Sequence, residues 1–245
     1  MNFYETSRQV TVLGAGMVGV SCALALQAQG WQVTLIDKRE PGEETSAGNA
    51  GVLSRSSLLP FNRPGLWQSL PRMLLKQGPS LQVRPSALAH WNFMWRFLWH
   101  ARRHSFDITT VALDGLIQLS GLTHKTWLAQ TAEQHRLRET GWLWLFQNDA
   151  AWDSSAFSRE VLQDFSVATE ALRGREIQNL EPHLATAFAH GLWIKDAASV
   201  DNPGAVVKAY AQQFVKLGGV VQQAEVRVLQ QIGRASCRER VSSPV

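Results

Sequence analysis

The sequence predicts an α/β fold: a parallel sheet opened and closed by helix–strand units, with a partly helical α+β insertion between them. Three observations carry this. A β-branched apolar run, Gln9–Leu13, leads through a glycine turn into a helical pattern, Met17–Gln29, and on to a second strand, Gln32–Asp37. No third strand follows closely; the small-residue, proline-bearing stretch "PGEETSAGNAGVLSRSSLLPFNRPG" takes its place. Towards the other end a second unit appears, a helix over Asn202–Leu217 and a strand over Val220–Leu229.

Each element has a local cause. Gln9–Leu13 has the composition of a buried strand, and Gly14 and Gly16 supply the turn. Met17–Gln29 combines good helix formers with helical spacing, and Gly30 stops it. Short helices are expected at Leu66–Lys76 and Ser86–Arg103, and a longer one from Ile108 to Arg138. "GWLWLF" (Gly141–Phe146) reads as a strand, Ser155–Leu172 as a helix and "GLWI" (Gly191–Ile194) as a strand. Asn202 or Asp201 caps the last helix, Pro203 fits its first turn, and Gly218–Gly219 ends it. The expected domains are 8–60, the first part of a nucleotide-binding domain; 61–190, the insertion; 191–231, a return to the first domain; and a 232–245 tail.

The tail stands apart. "IGRASCRERV" (Ile232–Val241) reads like the translation of a common DNA-sequencing adapter, so 232–245 is expected to be non-native and the chain a fragment. A natural basic tail is the alternative.

Composition narrows the class. With 45% hydrophobic and 18% charged residues over 245 positions, the chain suits a globular protein with a core. No apolar run is long enough to span a bilayer, and "MNFYETSRQV" lacks the apolar centre of a secretory leader. Cys22 and Cys237 give neither a disulfide framework nor zinc spacing, and a reducing, cytoplasmic setting is the default. The histidines show no metal spacing and no paired carboxylate pattern, so no metal site is expected. The net charge of +4 is unevenly spread: from Thr45 to Phe106 there is no acidic residue.

Gly14-x-Gly16-x-x-Gly19 is the chemical centre of the opening unit. The first glycine permits the tight turn, the second lets backbone approach a pyrophosphate, and the third lets helix and strand pack closely. Ala15, Met17 and Val18 share this loop and helix start, where N–H groups and the helix dipole favour phosphate. Asp37, 21 residues after Gly16, ends the second strand and suits ribose hydroxyls. Its charge argues against a 2′-phosphate, an objection that Lys38 and Arg39 weaken only slightly. The ligand class is an ADP-containing dinucleotide. "ETSAGNAGVLS" (Glu44–Ser54) is either an ordinary surface loop or small residues laid against a flat ligand, with Asn49 as a hydrogen-bonding group.

"GAGMVG", "IDKREPGEETSAGNAG" and "HWNFMWRFLWHARR", continued at "EIQNLEPHLATAFAHGLWIKDAASVDNPGAVVKAYAQQFVKLGG", resemble the FAD-dependent amine and amino-acid oxidoreductases, above all the D-amino-acid dehydrogenase small subunits. The resemblance implies a Rossmann-like FAD-binding domain with an inserted, partly helical α+β substrate domain, here incomplete. It implies that Gly14–Val18 hold the pyrophosphate, that Asp37, Lys38 and Arg39 meet the adenosine end, and that Thr45, Ser46, Asn49, Ala50, Gly51 and Val52 contact FAD. Val226 is the match for a valine that meets adenine through its backbone. The implied reaction is oxidative deamination of a D-amino acid: hydride leaves Cα for flavin N5, and the imino acid hydrolyses to a 2-oxo acid and ammonia. No catalytic side chain is assigned, and the chain alone is expected to bind FAD weakly and turn over nothing. Another amine substrate (glycine, sarcosine or a hydroxyproline type), with oxygen or a quinone as acceptor, and a non-catalytic FAD-binding fragment are the alternatives.

Trp91, Trp95 and Trp99 recur at i, i+4, i+8, with Arg96, His100 and Arg103 on a narrower arc. The favoured reading is a helix buried in the substrate domain. The other is a peripheral contact with the inner face of the cell membrane, as a quinone-linked dehydrogenase needs. Nucleic acid is not expected, since no recognition module accompanies the charge.

Overall fold

The computed structural model describes residues 8–67, 90–184 and 187–229. In chain order the elements are β1 (Gln9–Leu13), α1 (Met17–Ala28), β2 (Gln32–Asp37), β3 (Val52–Leu53), α2 (Trp91–Trp99), α3 (Arg103–Leu128), β4 (Leu137–Arg138), β5 (Trp142–Phe146), α4 (Asp149–Ser154), α5 (Ala156–Asp164), β6 (Thr169–Leu172), α6 (Arg175–Leu180), β7 (His190–Ile194), β8 (Ala198–Val200), α7 (Pro203–Lys216) and β9 (Val220–Gln223). They form two compact units, one drawn from Met1–Ala50, Leu128–Gln134 and Asn202–Val245, the other from Gly51–Trp127 and His135–Asp201. The limits drawn from sequence alone were 60/61 and 190/191. The tail at 232–245, and the expected helix over Leu66–Lys76 beyond Trp67, lie outside the described residues.

The first unit is built on a parallel sheet ordered β1-β2-β9. Thr11 pairs with Thr34, and Leu35 with Val221. The strand missing after β2 thus arrives from the far end of the chain. Val20, Ala23 and Leu24 of α1, Val33 and Leu35 of β2, and Val206, Val207, Tyr210 and Phe214 of α7 form the buried core. Asn202 caps α7 as expected, its Oδ1 accepting the Ala205 N–H at 2.9 Å. Two expectations need correction. β1 is not buried but alternates between exposed and half-buried residues, because it stands at the sheet edge among the described residues. The strand expected over Val220–Leu229 ends at Gln223, where the end of its partner β2 is reached.

The second unit holds two antiparallel sheets, ordered β3-β8-β4 and β5-β7-β6. Leu58, Phe106, Val161, Leu162, Val167, Leu192, Ile194 and Ala197 make its core, with Ile117, Trp144 and Phe157 packed against them. The helix expected over Ser155–Leu172 is instead α5 followed by β6. Ser166 adopts a positive φ of 52° and turns the chain, so Thr169–Leu172 pairs with β7. The helix expected over Ile108–Arg138 is α3, which stops at Leu128. There Thr131 donates its N–H to the Leu128 carbonyl at 2.9 Å, and its Oγ1 accepts the Glu133 N–H at 3.2 Å. A hydroxyl offered to the backbone in this way competes with helix continuation.

The pattern at 86–103 is also corrected: within its described part the helix spans Trp91–Trp99 only. No residue of this α2 is buried, against the favoured reading of a core helix. Its indoles meet along the helix itself, Trp91 stacked on Trp95 with centroids 6.3 Å apart and Trp95 tilted against Trp99 at 5.8 Å.

Candidate functional site: a dinucleotide grip

The candidate site lies in the first unit, where β1 turns into α1. Gly14 has a positive φ of 99°, which a Cβ would strain, and its N–H donates to the Ile36 carbonyl at 2.8 Å. A Cβ on Gly19 would lie 1.7 Å from the Gly14 carbonyl oxygen, so only glycine lets α1 come this close to the turn. A Cβ on Gly16 would stand 3.3 Å from Ser46 Oγ. The three glycines therefore have three separate causes, in the order the spacing predicts.

Two long-range hydrogen bonds close the loop, and sequence reading missed both. The Ala15 N–H donates to Asp37 Oδ2 at 2.6 Å, and the Met17 N–H donates to Ser46 Oγ at 2.9 Å. Gly16, the N-cap residue of α1, has no side chain, so Ser46 does the capping from another segment. The Gly42 N–H adds a bond to the Ala15 carbonyl at 3.0 Å. The only signals in the sequence were residue types, an acid at a strand end and a serine in a small-residue loop. Neither reveals a partner.

Asp37 also accepts the Arg39 N–H on Oδ1 at 3.0 Å. Burial pushes its carboxyl up, but the N–H groups of Ala15, Arg39 and Lys38 and the Lys38 ammonium outweigh this, leaving it below the ordinary carboxylate range. Lys38 Nζ and Arg39 Nε both reach Glu44 Oε1, at 3.1 and 2.9 Å.

The other predicted residues divide between the units. Ala15 is buried, Met17 is half-buried and Val18 is exposed at the start of α1. Thr45, Ser46, Asn49 and Ala50 lie in the loop after β2. Gly51 and Val52 fall in the second unit: the Gly51 carbonyl accepts the Val200 N–H at 2.8 Å, and Val52 pairs with Ser199. Val226 follows β9 in irregular chain, two residues after Ala224, whose N–H donates to the Asp37 carbonyl at 2.8 Å.

In the second unit Arg55 forms a two-pronged pair with Asp114, 2.9 Å for Nε–Oδ1 and 3.1 Å for Nη2–Oδ2, and Arg55 Nη2 also donates to the Phe165 carbonyl at 2.8 Å. The guanidinium bonds hold Asp114 below the usual carboxylate range against the opposing effect of burial. His190 is a core histidine: its ring is buried and stacks on Trp152, and its Nε2 lies 2.6 Å from Asp149 Oδ1. Among the described residues no cluster suits a metal ion, and no helix is long and apolar enough to cross a membrane.

A glycine turn between strand and helix, braced by an acid at the end of the next parallel strand, is the arrangement of α/β proteins that grip a dinucleotide. Residues 9–242 match the family described as DAO, FAD dependent oxidoreductase. The chain belongs to this family of FAD-dependent oxidoreductases, whose cofactor is FAD. It is 30% identical over 235 residues to a D-amino-acid oxidase from Bradyrhizobium diazoefficiens, covering 92% of this chain and 54% of that protein. It is 31% identical over 183 residues to a D-amino acid dehydrogenase from Neisseria meningitidis, covering 74% of this chain and 44% of the relative. The chain thus spans about half the length of these relatives. A solved structure of glycine oxidase from Geobacillus kaustophilus has the same fold, with a TM-score of 0.56 and 16% identity over 88% of this chain and 46% of that one.

Proposed function

We propose that the Gly14–Asp37 grip holds the ADP half of FAD for the oxidation of an amino acid, with D-amino acids as the substrate class. The carrying observation is the turn itself: positive φ at Gly14, no room for a Cβ at Gly19, and Asp37 tied to the Ala15 amide. These features fit the cofactor of the family. In this reading the loop and first turn from Ala15 to Val18 receive the pyrophosphate through the Gly16 and Val18 amides, those of Ala15 and Met17 being taken by Asp37 and Ser46, and through the dipole of α1. The free lone pairs of Asp37 receive ribose hydroxyls, and Lys38 and Arg39 flank the adenosine end. Thr45, Ser46, Asn49 and Ala50 line the path of the cofactor, and Val226 offers backbone to adenine.

FAD supplies the two-electron oxidation that turns an amino acid into its imino acid, which water hydrolyses to a 2-oxo acid and ammonia. The names of the two relatives, an oxidase and a dehydrogenase for D-amino acids, support the substrate class. The test is titration of the chain with FAD and ADP, and, for the substrate class, D-alanine-dependent dye reduction and oxygen uptake by a full-length protein that carries this chain. Binding of ADP and FAD that Gly16→Val abolishes is expected. Equal binding by the variant overturns the grip. Reduction by glycine or sarcosine but not by D-amino acids overturns the substrate class.

A contact with the membrane surface is favoured by α2. Trp91 and Phe93 are 63% and 64% exposed, and the Arg102 guanidinium sits 3.3 Å above the Trp99 ring. Exposed indoles beside arginines suit the headgroup layer of an anionic bilayer, from which a quinone acceptor is reached. Co-sedimentation with phosphatidylglycerol vesicles, lost in high salt, is expected; none with either anionic or zwitterionic vesicles removes this reading.

A further inference from the structure

The loop that leaves β2 holds the start of α1 at two points. The Gly42 N–H donates to the Ala15 carbonyl at 3.0 Å, and Ser46 Oγ accepts the Met17 N–H at 2.9 Å. Both bonds act on the turn whose Gly16 and Val18 amides are assigned to the pyrophosphate. The same loop rests on α7, and both belong to the first unit. Gly42 is buried and has a positive φ of 81°. A Cβ there would lie 2.7 Å from the Gly204 carbonyl oxygen and 3.1 Å from Val207 Cβ. A Cβ on Gly204 would in turn lie 3.2 Å from the Gly42 carbonyl oxygen. One turn further along α7, Lys208 Nζ stands 3.2 Å from Glu43 Oε1 and 3.6 Å from Glu40 Oε2.

Gly204, Val207 and Lys208 are spaced i, i+3, i+4, so they share one face of α7. That face seats the loop from Glu40 to Ser46. Alanine would favour the helix more than glycine does, but glycine at 204 leaves room for backbone against backbone. Gly42 meets it in a conformation that a side chain would strain. The ion pairs of Lys208 are exposed and weak singly. The two glycines therefore set the distance, and the lysine secures it.

We propose that Gly42, Gly204 and Lys208 are positioning residues for the FAD site. α7 supplies none of the residues assigned to the cofactor, yet it seats the loop that caps α1 and so sets where the Gly16 and Val18 amides point. This rests on the assignment of the grip to the ADP half of FAD, and the two fail differently. With a wrong assignment the parent chain binds no ADP; with a wrong seat ADP binds equally whether the seat is intact or damaged.

The seat also marks one amide. Ser46, which accepts the Met17 N–H, rides on the loop, whereas Asp37, which accepts the Ala15 N–H, ends β2. Moving the loop should release Met17 and leave Ala15 held.

The experiment is calorimetric titration of the 245-residue chain with ADP, paired with amide hydrogen exchange read by NMR. Gly42→Ala drives a methyl against the Gly204 carbonyl. It should lower ADP affinity roughly tenfold and speed exchange at Met17 relative to Ala15 by a similar factor, as loss of about one hydrogen bond implies. Lys208→Met, at an exposed position, leaves the core untouched and should lower affinity about threefold, as for a surface ion pair. That loss should vanish in high salt, and Lys208→Arg should restore affinity. Arg55→Ala, a destabilising change in the second unit, should alter neither ADP affinity nor the ratio of Met17 to Ala15 exchange. Parent-like ADP affinity in both Gly42→Ala and Lys208→Met overturns the proposal. So does an equal loss in Arg55→Ala, or equal speeding of Ala15 and Met17. A parent chain that binds no ADP overturns the assignment of the grip and the proposal with it.

Discussion

The carboxylate of Asp37 accepts the Ala15 amide hydrogen at 2.6 Å, joining the end of β2 to the glycine turn. The acid is therefore part of the turn before any ligand arrives. With a second bond from the Arg39 amide, it fixes the direction in which the loop amides point. A short, charge-assisted bond of this kind is stronger than a neutral one.

Replacing Asp37 with Asn sets an NH₂ group against a backbone N–H and leaves one donor unmet. The expected loss is about 1–3 kcal/mol of stability, with a further loss of ADP affinity. The sign with pH follows from the depressed carboxyl. Stability from Asp37 is present above the unfolded value of about 3.9 and is lost as pH falls through the lower folded value. Urea unfolding as a function of pH should show a fall in the acid range for the parent chain and a shallower one for Asp37→Asn.

Ser46→Ala removes the oxygen that accepts the Met17 N–H. Loss of a helix cap costs about 1 kcal/mol, so the melting temperature should drop by a few degrees. Ser46→Thr retains the hydroxyl and should restore most of it. A Ser46→Ala chain as stable as the parent would mean that another group caps α1.

Gly19→Ala tests close packing. The new methyl lies inside contact distance of the Gly14 oxygen, so the turn must move. Overpacking of this kind costs about 1–3 kcal/mol, even though alanine favours a helix. Affinity for ADP should fall with it, because the displaced backbone is the proposed phosphate cradle. Calorimetry with ADP separates this from a purely structural loss: Gly115→Ala, in open space, should leave affinity unchanged and raise stability.

What the sequence disclosed was local. The strand–turn–helix–strand over Gln9–Asp37 and the capped helix from Pro203 follow from short-range rules, and the structure has both. The pairing of β2 with β9 was not legible, because the apolar periodicity of a strand says nothing about its neighbour across the intervening chain. Nor was the outward face of α2, since a tryptophan stripe has the same spacing whether it is covered or exposed. At the site, the glycines revealed themselves by spacing. Ser46 did not, because a serine among small residues becomes a cap only when the loop returns to α1.

In the second unit the pair of Arg55 and Asp114 is the corresponding long-range tie. Arg55 follows the buried Ser54, which caps a 3-10 turn, and its guanidinium reaches α3 through Asp114 and the segment before β6 through the Phe165 carbonyl. The side chains are 23% and 13% exposed, so the pair is neither a surface bridge nor fully dry. Arg55→Ala should cost about 1.5–3 kcal/mol, as for a hydrogen bond to a charged group, below the 3–5 kcal/mol of a fully buried pair. Arg55→Lys supplies charge but only one contact point, and should recover less than half. Because Arg55 holds the Asp114 carboxyl low, the contribution is complete above the unfolded carboxyl value and disappears as pH falls through the folded one. A double-mutant cycle of Arg55→Ala with Asp114→Ala, followed by urea unfolding at neutral and at acid pH, should show coupling at the first and little at the second. Equal coupling at both would place the stabilisation in packing of the arginine stem rather than in the charge pair.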